Sequence, residues 1–285
     1  MEQTIEASRQ LAIRITSDSN KQTYYTIRLL VDRNQIANAY RAYGYFRWVD
    51  DWLDRSQSSK DECLAFIARQ QSILECGYKG DWPSDMDSHE TMLADLIRSD
   101  HESDSGLQFY IRNMMAVMAF DANRRGRLVS ETELAQYTHH LAVGVTEALL
   151  FFIGHDRFAP QGEARFQAVR GAHVTHMLRD TLEDSDAGYY NIALEFVMAT
   201  GLDPCDVASL PYREWVRSRV QFARQCFSSG REYLAQVESV RCRIAAFAYM
   251  LRFERVLDAI ERANFLLQPL SQNGHKGRLW EAHRA

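Results

Sequence analysis

Helical periodicity with little to interrupt it is the strongest constraint this chain places on its own fold. Only 14 glycines and 5 prolines are spread over 285 residues, and apolar residues recur three and four apart nearly everywhere. Alternating segments bounded by hairpin turns are missing, so the reading is all-α. A chain of this length can bury about three quarters of its unfolded surface in one core. No shift in composition marks a boundary, so 1–285 reads as a single helical domain, with 1–16 and 268–285 as loosely held ends.

Local signals divide the chain further. Ser17-Asp18-Ser19-Asn20 offers N-caps for a helix that includes Thr23, Tyr24, Leu29 and Leu30. Helices are expected over about 34–55, 60–76, 91–98 and 107–123. Ser130-Glu131-Thr132-Glu133 reads as a capping box for a helix carrying Tyr137 and Gly144. Further helices are expected over about 163–184, 192–200, 212–236 and 240–267.

Two stretches do not suit a purely structural helix. In Tyr43-Gly44-Tyr45-Phe46-Arg47-Trp48-Val49-Asp50-Asp51-Trp52-Leu53-Asp54, three aspartates crowd between tryptophans, and Tyr43, Arg47, Asp50 or Asp51, and Asp54 share one stripe. Adjacent carboxylates repel, and burying them beside aromatics is costly unless a cation offsets them. Taken alone, this is a solvated helix face with Arg47 as partner. Arg179-Asp180-Thr181-Leu182-Glu183-Asp184 repeats the arrangement, with aspartates four apart and an arginine just before. Two such faces make sense if they oppose one another across a cavity. Hard oxygen ligands of this kind suit Mg²⁺, which bridges carboxylates to substrate phosphates and keeps much of its water.

Other classes are excluded or unsupported. A net charge of −5 gives no reason to expect nucleic acid. Cys63, Cys76, Cys205, Cys226 and Cys242 form no CxxC pair and read as reduced thiols of a cytoplasmic protein. Neither a secretory signal nor a run long enough to span a bilayer is visible. A greasy product could still bring the chain to a membrane surface as a peripheral contact. There is no phosphate-binding glycine loop, and His139-His140 lack a third ligand spaced for zinc.

The two acidic stretches resemble those of the squalene/phytoene synthase family, which joins two prenyl diphosphates head to head. Tyr43, Arg47, Asp50, Asp51 and Asp54 match its first motif, and Arg179, Asp180, Glu183 and Asp184 its second. The segment from Tyr137 to Val145, with Gly144, looks like a third signature. The resemblance implies a class I isoprenoid synthase-like bundle around a central cavity. It implies metal binding by Asp50, Asp51, Asp54, Asp180, Glu183 and Asp184, with Mg²⁺ or Mn²⁺ as the ion. Tyr43, Tyr137, Arg47 and Arg179 would serve catalysis, and these four with Gly144, His173 and His176 would line the substrate site. The substrate would be farnesyl or geranylgeranyl diphosphate, and NADPH would enter only if the product is squalene.

Two departures bear on this. His173 and His176 stand where the family usually has Gln and Asn, and Gly188-Tyr189-Tyr190-Asn191-Ile192-Ala193 replaces an expected Arg- and Pro-containing segment. Three readings follow: a head-to-head prenyltransferase, a terpene cyclase ionising one prenyl diphosphate, and a non-catalytic assembly relative. The altered segment after the second motif is the main support for the cyclase, intact acidic clusters argue against the third, and the readings rank in that order.

Overall fold

Side-chain caps set helix starts where the sequence placed them. In the computed structural model, which describes residues 2–54, 59–155 and 157–268, Asn20 caps α2 (Lys21–Leu30) by accepting from the Thr23 amide at 2.9 Å. Ser59 and Glu62 form a reciprocal capping box on α4 (Lys60–Tyr78). Ser130 and Glu133 do the same for α7 (Glu131–Gly154). The remaining helices are α1 (Glu2–Ser19), α3 (Ile36–Leu53), α5 (Glu90–Arg98), α6 (Gly106–Arg124), α8 (Gln167–Asp186), α9 (Leu194–Thr200), α10 (Leu210–Leu234) and α11 (Val240–Arg262). Among the described residues an isolated bridge between Val129 and Ala193 is the only β pairing.

Packing divides the described chain into two compact units, where the sequence suggested one domain without a boundary. The first comprises residues 2–123 and 150–155, the second residues 124–149 and 157–268.

In the first unit α1 lies along α3, and the expectation that residues 1–16 are loosely held is corrected. Ala12 and Thr16 are fully buried. Gly44 of α3 lets the helices close, since a Cβ there would sit 3.1 Å from the Ala12 Cα. Arg41 fastens the contact: its guanidinium donates to Ser8 Oγ at 3.0 Å and to the Ile5 carbonyl at 2.8 Å, and faces Asp95 of α5 at 3.8 Å. α6 joins α3 through the Tyr110 hydroxyl, which donates to the Ala42 carbonyl at 3.0 Å.

In the second unit α8 crosses α10 at close range. A Cβ on Gly230 would lie 2.9 Å from both the backbone nitrogen and the Cβ of Ala168. Alanine is the better helix former by up to about 1 kcal/mol, but overpacking against backbone costs about 1–3 kcal/mol. The overlap wins, so Gly230→Ala should lower unfolding free energy by about 1–2 kcal/mol in urea denaturation. An unchanged midpoint would show that α10 can back away. α11 stops at Arg262, short of the expected 267, because Asn264 and Phe265 turn into the left-handed region at φ 51° and 61°. The expected tail, 268–285, lies outside the described residues from 269 onward.

Candidate active site

The first acidic stretch occupies the C-terminal half of α3, and its geometry separates Asp50 from Asp51. Arg47, only 4% exposed, holds Asp51 through two nitrogens, with Nε–Oδ2 at 3.0 Å, while its Nη1 reaches Asp50 at a longer 3.5 Å. The Asp51 carboxylate is half-exposed. Asp50 is more enclosed, its side chain 19% exposed, and the charges of Asp54 and of Asp121 on α6 act on it. Burial, then the Asp54 and Asp121 charges, push the Asp50 carboxyl well above the usual carboxylate range, against the opposing pull of Arg47. The flanking tryptophans are structural: Trp52 stacks on Phe66 of α4 at 4.0 Å, and Trp48 stacks on His89 at 4.8 Å. Burial raises the Tyr43 phenol, so it keeps its proton at neutral pH.

The second stretch lies in the second unit. Asp180 of α8 is 5% exposed and is held by its neighbour Arg179, with Nε–Oδ1 at 2.5 Å and Nη2–Oδ2 at 2.6 Å. His176 Nε2 stands 3.0 Å from Asp180 Oδ2, as the i,i+4 spacing requires. One turn on, Asp184 accepts from Asn191 Nδ2 at 2.7 Å, and Asn191 Oδ1 accepts from Arg124 Nη1 at 2.9 Å. The Arg124 guanidinium also lies over the rings of Tyr137 and Tyr189, 5.2 and 4.9 Å from their centroids. Arg124, Tyr137, Asn191 and Asp184 thus form one connected wall.

His173 behaves differently from His176. It is 2% exposed, neither ring nitrogen has a hydrogen-bond partner, and its ring meets Tyr137 edge-on at 4.8 Å. Burial, reinforced by His176, Arg124 and Arg219, holds it well below the usual imidazole range, so it is neutral. The unfolded chain therefore takes up a proton that the folded chain refuses, and stability falls as pH drops below about 6.5. His173→Gln should remove about 1.4 kcal/mol per pH unit from that slope. Urea unfolding at successive pH values between neutrality and mild acid reads it, and an identical slope in the variant would contradict the assignment.

Not every expected residue joins these walls. Glu183 is exposed, while Gly144 is buried within α7. His139 packs edge-on against Phe166 at 6.0 Å. Sequence reasoning gave no site role to three residues: Asp121, Arg124 and Asn191. Asp121 and Arg124 are charges three apart at the end of an otherwise apolar helix, a signal that could have found them. Asn191 had no such signal, because its role depends on the turn after α8. Among the described residues no three His, Cys, Asp or Glu side chains converge to hold a metal ion by themselves.

An all-helical chain with paired acidic helices belongs with the isoprenoid synthase fold, and solved structures bear this out. Squalene synthase HpnC from Alicyclobacillus acidocaldarius superposes with a TM-score of 0.73 at 17% identity, covering 93% of this chain and 97% of that one. A dehydrosqualene synthase in complex with ligand gives 0.71 at 15% identity, covering 97% and 94%. Germacradien-4-ol synthase from Streptomyces citricolor gives 0.52 at 15%, covering 92% and 88%. Among curated protein sequences none matches. The squalene/phytoene synthase family model matches residues 17–278, and the chain belongs to that family. It is accordingly a prenyl-transferring enzyme.

Proposed function

We propose that the chain condenses two prenyl diphosphates head to head with loss of diphosphate, with the carboxylates of its two acidic helices as metal ligands. The observation that carries this reading is Asp50, a largely enclosed carboxylate crowded by Asp54 and Asp121 and only partly offset by Arg47. Such crowding is unfavourable in a purely structural helix and suits a site that takes a cation. The donor set fits Mg²⁺, which binds proteins through one or two carboxylates and completes its shell with substrate phosphates and water. Asp50 and Asp54 on α3 and Asp180 and Asp184 on α8 would hold the ions. Bound there, Mg²⁺ supplies charge neutralisation to a diphosphate leaving group.

The remaining work falls to the chain's own residues. Arg47 and Arg179 exchange their aspartate partners for phosphate oxygens, which guanidinium binds bidentately. Asn191, itself held by Arg124, fixes the Asp184 carboxylate. Tyr43 and Tyr137 would offer aromatic faces to positive charge on the allylic carbon, and Tyr137 would pass protons near the departing diphosphate. His176, within reach of Asp180, adds a group that the family's amide lacks. His176→Asn should therefore shift the pH profile of turnover while leaving the melting temperature within a few degrees. A superimposable pH profile would reduce His176 to a wall residue.

Product analysis tests the function as a whole. The chain is supplied with farnesyl or geranylgeranyl diphosphate and Mg²⁺, separately and with NADPH. A product carrying both prenyl chains supports the reading. A cyclised product from a single chain would move the enzyme to the cyclase class, for which the germacradien-4-ol synthase likeness is at present a likeness of fold.

A further inference from the structure

α11 carries two apolar faces. One, including Ala245, Ala246, Met250, Phe253 and Leu257, is buried against its own unit. The other consists of Val240, Ile244, Phe247 and Leu251, exposed by 56%, 53%, 41% and 49%. Their spacing of four, three and four places them within about 60° of one another, roughly 160° from the centre of the buried face. An outward helix face is normally polar, so this stripe requires an occupant.

The charges around the stripe say which. Residues 240–253 contain Arg241, Arg243 and Arg252 and no aspartate or glutamate, and the acids Glu254, Asp258 and Glu261 follow only in the last turns of the helix. On the helical wheel Arg241 and Arg252 fall on one side of the stripe and Arg243 on the other. The apolar surface continues past the start of the helix at Phe158, which is 68% exposed. Phe158 is tied there because its carbonyl accepts from the Glu238 amide at 3.0 Å and its own amide donates to the Glu238 carboxylate at 3.1 Å. Glu238, the acid at this end, is paired with Arg157 at 3.3 Å.

From the apolar stripe and its arginine borders we infer that α11 docks on an anionic lipid bilayer. Val240, Ile244, Phe247, Leu251 and Phe158 enter the boundary between headgroups and acyl chains, and the arginines meet lipid phosphates. No helix among the described residues is long and apolar enough to cross a membrane, so the contact lies on the surface. A second copy of the chain is the rival occupant, but the acids of α11 that could face its arginines, Glu254, Asp258 and Glu261, are already paired with Arg231 and Arg224 of α10. The inference goes beyond the proposed reaction and does not depend on it.

Vesicle flotation of the full chain tests it, with phosphatidylglycerol–phosphatidylcholine vesicles compared with phosphatidylcholine alone. Binding should appear with the anionic vesicles and weaken at high salt. Ile244→Ser with Phe247→Ser should lower partitioning by at least about tenfold, and Arg241→Gln by about fivefold. Tyr25→Ser, at an exposed position on α2, should leave it unchanged. Thermal melts confirm that these surface variants remain folded. The inference is overturned if the full chain stays with the unbound fraction, or if the double variant floats as well as the native chain. It is equally overturned if sedimentation shows a dimer that the double variant dissolves while neither protein binds vesicles.

Discussion

Asp54→Asn and Asp184→Asn should each lower turnover on prenyl diphosphate by about a thousandfold, roughly 4 kcal/mol on the barrier, while the protein stays folded. The substitution keeps shape and removes the charge that would hold a metal against the leaving group. Stability should change little. Asp54 is exposed at the C-cap of α3, and its amide still donates to the Asp50 carbonyl. An asparagine at 184 retains an oxygen that can accept from Asn191. Asp50→Asn should go further in an informative direction, abolishing turnover while raising the melting temperature, because it relieves the crowding among Asp50, Asp54 and Asp121. A residue whose neutralisation stabilises the fold and stops the chemistry is present for the chemistry. Steady-state rates and thermal melts on the same preparations check both halves. Near-native turnover in any of the three, or in excess EDTA, would remove the proposed role of these carboxylates.

Arg41→Ala should produce the largest loss of stability, about 3 kcal/mol or more. Arg41 is 4% exposed and joins three helices, donating to Ser8 and the Ile5 carbonyl of α1 and to Asn38 of α3 while facing Asp95 of α5. Its removal leaves the Ile5 carbonyl without its guanidinium donor and a mostly buried Asp95 carboxylate with only Ser8 at 2.5 Å and the half-exposed Arg98 at 3.6 Å. Arg41→Lys should recover little, since one ammonium cannot serve acceptors spread around a planar guanidinium. Denaturant unfolding gives the loss, and hydrogen exchange should show α1 amides losing protection first. A loss below about 1 kcal/mol would mean that water takes over the guanidinium's partners.

The same residue shows where the sequence stopped being legible. Caps at Asn20 and Ser130 were readable because a cap is a contact within one turn. The burial of α1 was not, because its inward stripe is Ser8, Ala12 and Thr16, small residues that carry little apolar signal. What buries them is the matching Gly44 on a helix far along the chain. The motifs were legible as pairs of carboxylates, yet the choice between Asp50 and Asp51 was left open. Arg47, four residues before Asp51, decides it by holding Asp51 and leaving Asp50 crowded among carboxylates. His173 and His176 share a stripe in sequence but not a role, since Tyr137 from another helix encloses only His173. Asn191 gains its role from the turn after α8 folding back on Asp184, which no local window contains.

The carboxylates of each acidic helix are proposed to hold Mg²⁺ against diphosphate, and binding of an unreactive analogue tests this without chemistry. Calorimetric titration with farnesyl thiodiphosphate should give tight, Mg²⁺-dependent binding to the native chain. That binding should weaken by at least about tenfold in Asp54→Asn and, separately, in Asp184→Asn. Native affinity in either variant, or affinity indifferent to Mg²⁺, would contradict it.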